Sequence, residues 1–92
     1  MPNTTIKMTR NEIRKLAGLI TETKYSSRYN CGKGKRLYNE MFTTLEERQT
    51  AQKIMTDCIS WTLKSGIPAE ITYTAFEYEM LLKLEKYCMA LF

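Results

Sequence analysis

Apolar residues recur at the spacing of one helix face, i, i+3, i+4, i+7, at Ile13, Leu16, Ala17 and Ile20, leaving Arg10, Arg14 and Lys15 off that stripe. Just ahead, Thr9 and Glu12 have capping-box spacing, in which each side chain satisfies a backbone N–H at the helix start. Met8 and Ile13 bracket that cap at the spacing of a hydrophobic staple. A first helix is therefore predicted from about Arg10 to Thr21. A second opens at Thr43 or Thr44, since Thr43/Glu46 and Thr44/Glu47 both fit a capping box. Its stripe reads Ala51, Ile54, Met55, Cys58 and Ile59, with Trp61 or Thr62 one turn on, and Gly66 followed by Pro68 stops it. A third opens at Thr74 with Glu77 in the box position. Met80, Leu81, Leu84, Cys88 and Leu91 line its core side, widened by Leu82 and Tyr87.

The first and third helices share a lead-in. Ile6-Lys-Met8-Thr9-x-x-Glu12 matches Ile71-Thr-Tyr73-Thr74-x-x-Glu77, and in both two apolar residues alternate as in a short strand. The two stretches are expected to pair as a ribbon, although one such match does not make an internal repeat. The fold expected is thus mainly α, one domain over residues 1–92: three helices around a small core with a short two-stranded ribbon, an α+β arrangement.

Between the first two helices the periodicity breaks, over a basic loop at 24–38. Tyr25-Ser-Ser-Arg28-Tyr29 reads as extended and Asn30-Cys-Gly-Lys-Gly34 as a turn. Lys35 to Phe42 then reads as a returning strand or a helical turn carrying Leu37, Tyr38, Met41 and Phe42 inward, with a loop plus short helix preferred. Between Thr23 and Asn39 stand five cations, Lys24, Arg28, Lys33, Lys35 and Arg36, and no acid. So charged and glycine-broken a segment is expected to stay out of the core.

Charge sharpens the picture. The net +4 is divided, because residues 1–39 hold nine Lys/Arg and two acids whereas residues 40–92 hold five and eight. Such asymmetry points to one face that seeks a polyanion. An apolar fraction of 43% with 26% charged residues is that of an ordinary globular chain. No apolar run reaches the ~20 residues that cross a bilayer, and the N-terminal residues lack a secretory pattern, so a cytosolic protein is expected. Cys31, Cys58 and Cys88 are then reduced thiols, the latter two on core stripes.

The chain has no histidine, which removes Ser–His and Cys–His hydrolysis, and it has no Cys-x-x-Cys pair for zinc. Gly32-Lys-Gly-Lys35 lacks the spacing of a phosphate-binding Walker loop, and Arg36 stands where its Mg²⁺ ligand belongs. Neither an enzyme nor a cofactor or metal site is expected. A nucleic-acid interface is expected at Lys24, Arg28, Tyr29, Asn30, Lys33, Lys35 and Arg36. There the cations would meet phosphates, while Tyr25 and Tyr29 offer rings to bases and Asn30 a base or sugar contact. The glycines would let the main chain present N–H groups to a phosphate. Arg10, Arg14 and Lys15 would extend the patch or stand as solvated charges. Trp61 would be core edge or interface, and Cys31, among cations, an incidentally reactive thiol.

In its helical body and in the stretch Lys24 to Arg36, the chain resembles the small anti-CRISPR proteins that phages encode, particularly those acting on multisubunit type I surveillance complexes. The resemblance implies a non-enzymatic inhibitor in the host cytoplasm, with no membrane and no small-molecule substrate. It would dock on guide RNA and Cas subunits and block target DNA binding or, alternatively, recruitment of the nuclease. Many such proteins are acidic DNA mimics, and the basic N-terminal half here argues against mimicry. Two alternatives stand beside this reading: a small helical DNA-binding transcriptional regulator, and a purely protein-binding adaptor using Trp61 and the acidic face of the third helix.

Overall fold

The ribbon expected from the two alternating stretches forms. In the computed structural model, which describes residues 4–91, β1 (Thr5–Thr9) pairs antiparallel with β2 (Glu70–Thr74). The register sets Ile6 opposite Tyr73 and Met8 opposite Ile71. One face of the ribbon is therefore apolar, and Met8, Ile71 and Tyr73 on it are buried. Lys7 and Glu70 meet on the exposed face at 3.8 Å, a pair that contributes little in water.

Each strand runs directly into a helix, β1 into α1 (Arg10–Lys24) and β2 into α4 (Ala75–Leu91). The ladder continues symmetrically past both caps, since Arg10 N–H donates to the Ala69 carbonyl and Ala75 N–H to that of Thr4. Both capping boxes close. Glu12 N–H donates to Thr9 Oγ1 while Thr9 N–H donates to Glu12 Oε1, and Thr74 and Glu77 exchange the same two bonds at 2.9 and 3.1 Å. The shared seven-residue pattern is thus a strand–cap–helix unit used twice.

Between these units lie α2 (Gly32–Met41), α3 (Leu45–Ser60) and a π-helical turn (Trp61–Ser65). Of the two candidate starts for α3, the cap is Thr44, boxed with Glu47. Gly66 ends the turn at φ +80°, a backbone region that an L side chain rarely adopts. The predicted stripes form one core. Ile13, Ala17, Ile20, Ala51, Ile54, Cys58, Met80, Leu81, Leu84 and Cys88 are all buried, and Trp61 is half-buried at its edge. Ile59 is only half-buried and Leu82 is exposed, because α3 and α4 meet their neighbours on a narrower strip than apolar residues alone suggested.

Three expectations for the middle of the chain need correction. First, α1 continues one turn beyond Thr21 to Lys24, and within it the buried Thr21 and Thr23 satisfy their hydroxyls on the Ala17 and Leu19 carbonyls at 2.8 Å. Second, Tyr25–Tyr29 is a tight turn and not extended; Ser26 N–H donates to the Thr23 carbonyl, and Arg28 N–H to Ser26 Oγ. Third, the basic loop at 24–38 shrinks to about Tyr25–Cys31, since Gly32 already begins a helix. Among the described residues there are four α-helices, the fourth being α2. Its inner side carries Leu37, Tyr38 and Met41, followed by the fully buried Phe42.

Candidate nucleic-acid interface

The basic segment is held to the body by aromatic packing. Tyr87, fully buried on α4, meets Tyr29 edge-on at 6.3 Å and Tyr38 edge-on at 5.7 Å. Tyr38 in turn stacks at a tilt on Phe42 at 4.8 Å. Such pairs add about 0.5–1.5 kcal/mol each beyond their burial. A cation lies at each end of the row, Lys24 Nζ 4.6 Å above the Tyr29 ring and Lys83 Nζ 5.7 Å from that of Phe42. Lys83 also donates to the Met41 carbonyl at 2.9 Å and to Glu47 at 2.7 Å, tying the end of α2 to the start of α3 and to α4.

Gly34 is the closest point of this docking. The Tyr87 hydroxyl donates to its carbonyl at 2.9 Å. A methyl group at Gly34 would run into the backbone oxygens of Arg28 and, at 2.7 Å, Tyr29. The glycine allows the chain to approach itself. The expectation that this segment stays out of the core fails here, since Gly34 is buried and Tyr29 half-buried.

The seven residues singled out in the sequence divide into two groups. Lys24 also donates to the Tyr29 hydroxyl at 3.2 Å, so one face of that ring is covered. Arg28 Nη1 donates to the Leu91 carbonyl at 3.1 Å, and Asn30 Nδ2 to the Ser26 and Lys24 carbonyls at 3.0 and 3.4 Å. These four residues hold the turn. Lys33, Lys35 and Arg36, by contrast, are exposed, and their side chains make no hydrogen bond or ion pair among the described residues. Tyr25 is 69% exposed.

Two of the three open cations border recesses beside the N-terminal half of α2. Lys33 shares a recess of about 330 Å³ with Arg28, Cys31 and Leu91. Lys35 shares one of about 200 Å³ with Tyr29, Tyr38, Asn39 and Tyr87. Unlike α1 and α3, α2 begins without a side-chain cap: Cys31 occupies the cap position and supplies no capping bond. The amide groups of the first turn and the positive end of the helix dipole therefore face the exposed Cys31 thiol. The Cys31 thiol senses this, its pKa lowered chiefly by the Gly34 N–H and further by the N–H and charge of Lys33, against an opposing effect of burial. Cys58 behaves otherwise, pushed up by burial to about 12, which suits a small buried hydrophobe.

A second concave surface lies along α1. Arg10, Arg14, Gly18, Trp61, Ser65 and Ile67 are among the residues lining an open groove of about 520 Å³ between α1 and the π-helical turn. The spacing of Arg10, Arg14 and Gly18 was visible in the sequence; their meeting with Trp61 across the fold was not. Comparisons with protein-family models, with curated proteins and with solved structures return no match to this chain.

Proposed function

We propose that this chain is a non-enzymatic binding protein whose contact element is the start of α2, and that its ligand is the phosphate backbone of a nucleic acid. One observation carries this reading: a helix N-terminus without a side-chain cap hydrogen bond, flanked by three cations that form no ion pair among the described residues. Backbone N–H groups and a helix dipole favour an anion at such an end, and lysine and arginine around it add attraction over a longer range. Phosphate contacts by Lys33, Lys35 and Arg36, with Tyr25 beneath an unstacked base, suit a single-stranded or guide-like RNA better than a duplex groove. Lys24, Arg28, Tyr29 and Asn30 serve this surface by fixing the turn that presents it.

Set beside the resemblance to phage anti-CRISPR proteins, the reading extends to a stoichiometric inhibitor. Such an inhibitor would dock on an RNA-guided surveillance complex through guide-RNA phosphates and block target DNA. Three cations give limited affinity at physiological salt, so protein contacts from the body must accompany them. The test is pull-down of the tagged chain from cells carrying a type I complex, with and without nuclease. Recovery of that complex supports the reading. Recovery of bare duplex DNA, with an operator footprint of two half-sites, overturns it in favour of a DNA-binding regulator.

A protein-binding adaptor is the second reading, favoured by Leu82 and Met89, two turns apart on α4 and 39% and 66% exposed. Binding to a partner protein that is insensitive to salt and unchanged by charge reversal at Lys33, Lys35 and Arg36 would establish it.

A further inference from the structure

The groove along α1 is unrelated to the α2 surface. Arg10 and Arg14 are neighbours one turn apart on α1, and the next position of that row is Gly18, whose missing side chain leaves the groove open. Arg10 is already oriented, its Nε donating to the Ile67 carbonyl at 3.0 Å while its Nη groups make no bond among the described residues. The Arg14 side chain makes no hydrogen bond or ion pair there, and no acidic residue lines the groove. Two guanidinium groups without a counter-charge on one wall call for an anion with several acceptor oxygens.

The opposite wall supplies a different chemistry. Trp61 opens the π-helical turn, is only half-buried and is one of the residues that line the groove. Widened turns of this kind occur disproportionately at functional sites, because the extra residue re-aims the side chains that follow. Here the turn brings Thr62 and Ser65 to the same groove. The Thr62 hydroxyl donates to the Cys58 carbonyl at 2.8 Å, whereas the Ser65 hydroxyl makes no bond among the described residues. At about 520 Å³ the groove is within the size range of small-ligand sites.

We propose that this groove binds a nucleotide unit, with the phosphate on Arg14 and the Nη groups of Arg10, the base against Trp61, and Ser65 within reach of the sugar. The unit is either a free nucleoside monophosphate or the 5′-phosphorylated end of a single strand; the recognising chemistry is the same.

Trp61 is the sole tryptophan, so its fluorescence reports on this groove directly. Titration with adenosine 5′-monophosphate is expected to quench it saturably, with adenosine and inorganic phosphate each binding at least about tenfold more weakly. A 5′-phosphorylated tetranucleotide beginning with the same base separates the two sources. Binding at least tenfold tighter than the mononucleotide indicates a strand end, and equal binding indicates a free nucleotide. Arg14→Ala should weaken binding about tenfold, in line with the loss of a charged hydrogen bond. Gly18→Leu should abolish it by filling the groove without unfolding α1, because a Cβ at Gly18 meets nothing within 4 Å. Charge reversal at Lys33, Lys35 and Arg36 should leave this titration unchanged, so its outcome is independent of the α2 surface. No saturable quenching by either phosphorylated probe up to millimolar concentration, or quenching that survives both Arg14→Ala and Gly18→Leu, overturns the proposal.

Discussion

The two strand–cap–helix units and the basic corner around α2 are built on opposite principles. In the units, neighbours in sequence specify the structure: Thr9 with Glu12 and Thr74 with Glu77 close their caps within one turn. In the corner, distant residues do so. Arg28 reaches Leu91, Tyr87 reaches Gly34, and α2 starts with no side-chain cap of its own. A helix that depends on tertiary contacts for its stability needs no strong cap, and the N-terminal amides of α2 face a thiol in place of a capping hydroxyl. The surface proposed for binding thus coincides with the part of the chain that has the weakest local code.

Breaking the long-range contacts should affect the molecule most. Tyr87→Ala is expected to cost about 3–5 kcal/mol, as for other large aromatic truncations, measured by urea denaturation. Gly34→Val should release α2 from the body through its clash with the Arg28 and Tyr29 carbonyls, with α2 amides losing protection in hydrogen exchange while α1 and α4 keep theirs. Equal loss across all helices would contradict the division into two regions.

The local code should cost less to break. Thr44→Ala removes the box at α3 and should lower stability by about 1 kcal/mol, read from the urea midpoint. The same corner of the molecule carries a pH dependence. Glu47 is held down from its ordinary 4.5 to about 2, first by the Lys83 ammonium and then by the Thr44 N–H. A carboxylate depressed in the folded state contributes stability that is complete above its ordinary value and lost as pH falls towards the folded one. Acid titration of stability should therefore show a loss between about pH 4.5 and 2 that Glu47→Gln abolishes.

Tyr73→Phe should have the smallest effect. The Tyr73 hydroxyl is buried with no hydrogen-bond partner among the described residues, so removing it relieves a desolvation cost. Unchanged or slightly raised stability is expected, and a loss above about 1 kcal/mol would mean the hydroxyl has a partner.

What was legible in the sequence follows the same division. The caps and stripes rest on residues within one or two turns of each other, and the ribbon, whose strands are distant in sequence, was betrayed by the pattern its two stretches share. The α2 helix was ambiguous because glycines and charges mask its start, although Leu37, Tyr38, Met41 and Phe42 carried a helical spacing. The roles of Tyr29 and Asn30 were hidden for a different reason. A tyrosine beside cations reads equally as a platform for a base or as the floor of a turn, and the packing of Tyr29 on Tyr87, far along the chain, left no trace in the local sequence. The Arg10, Arg14 and Trp61 groove was likewise invisible, since its walls are distant in sequence.

The central claim is that the five cations divide into two that hold the turn and three that meet a ligand. The salt dependence of binding to a single-stranded RNA, followed by fluorescence anisotropy, tests it most directly. Three phosphate contacts predict log K falling against log[salt] with a slope of roughly 2 in magnitude, or about a twentyfold loss for a fourfold rise in salt. Charge reversal at Lys33, Lys35 and Arg36 should abolish that binding with stability unchanged. A slope near ~3.5 would mean that all five cations engage phosphate and that the turn opens on binding. Salt-independent binding that survives the reversal would contradict the account outright.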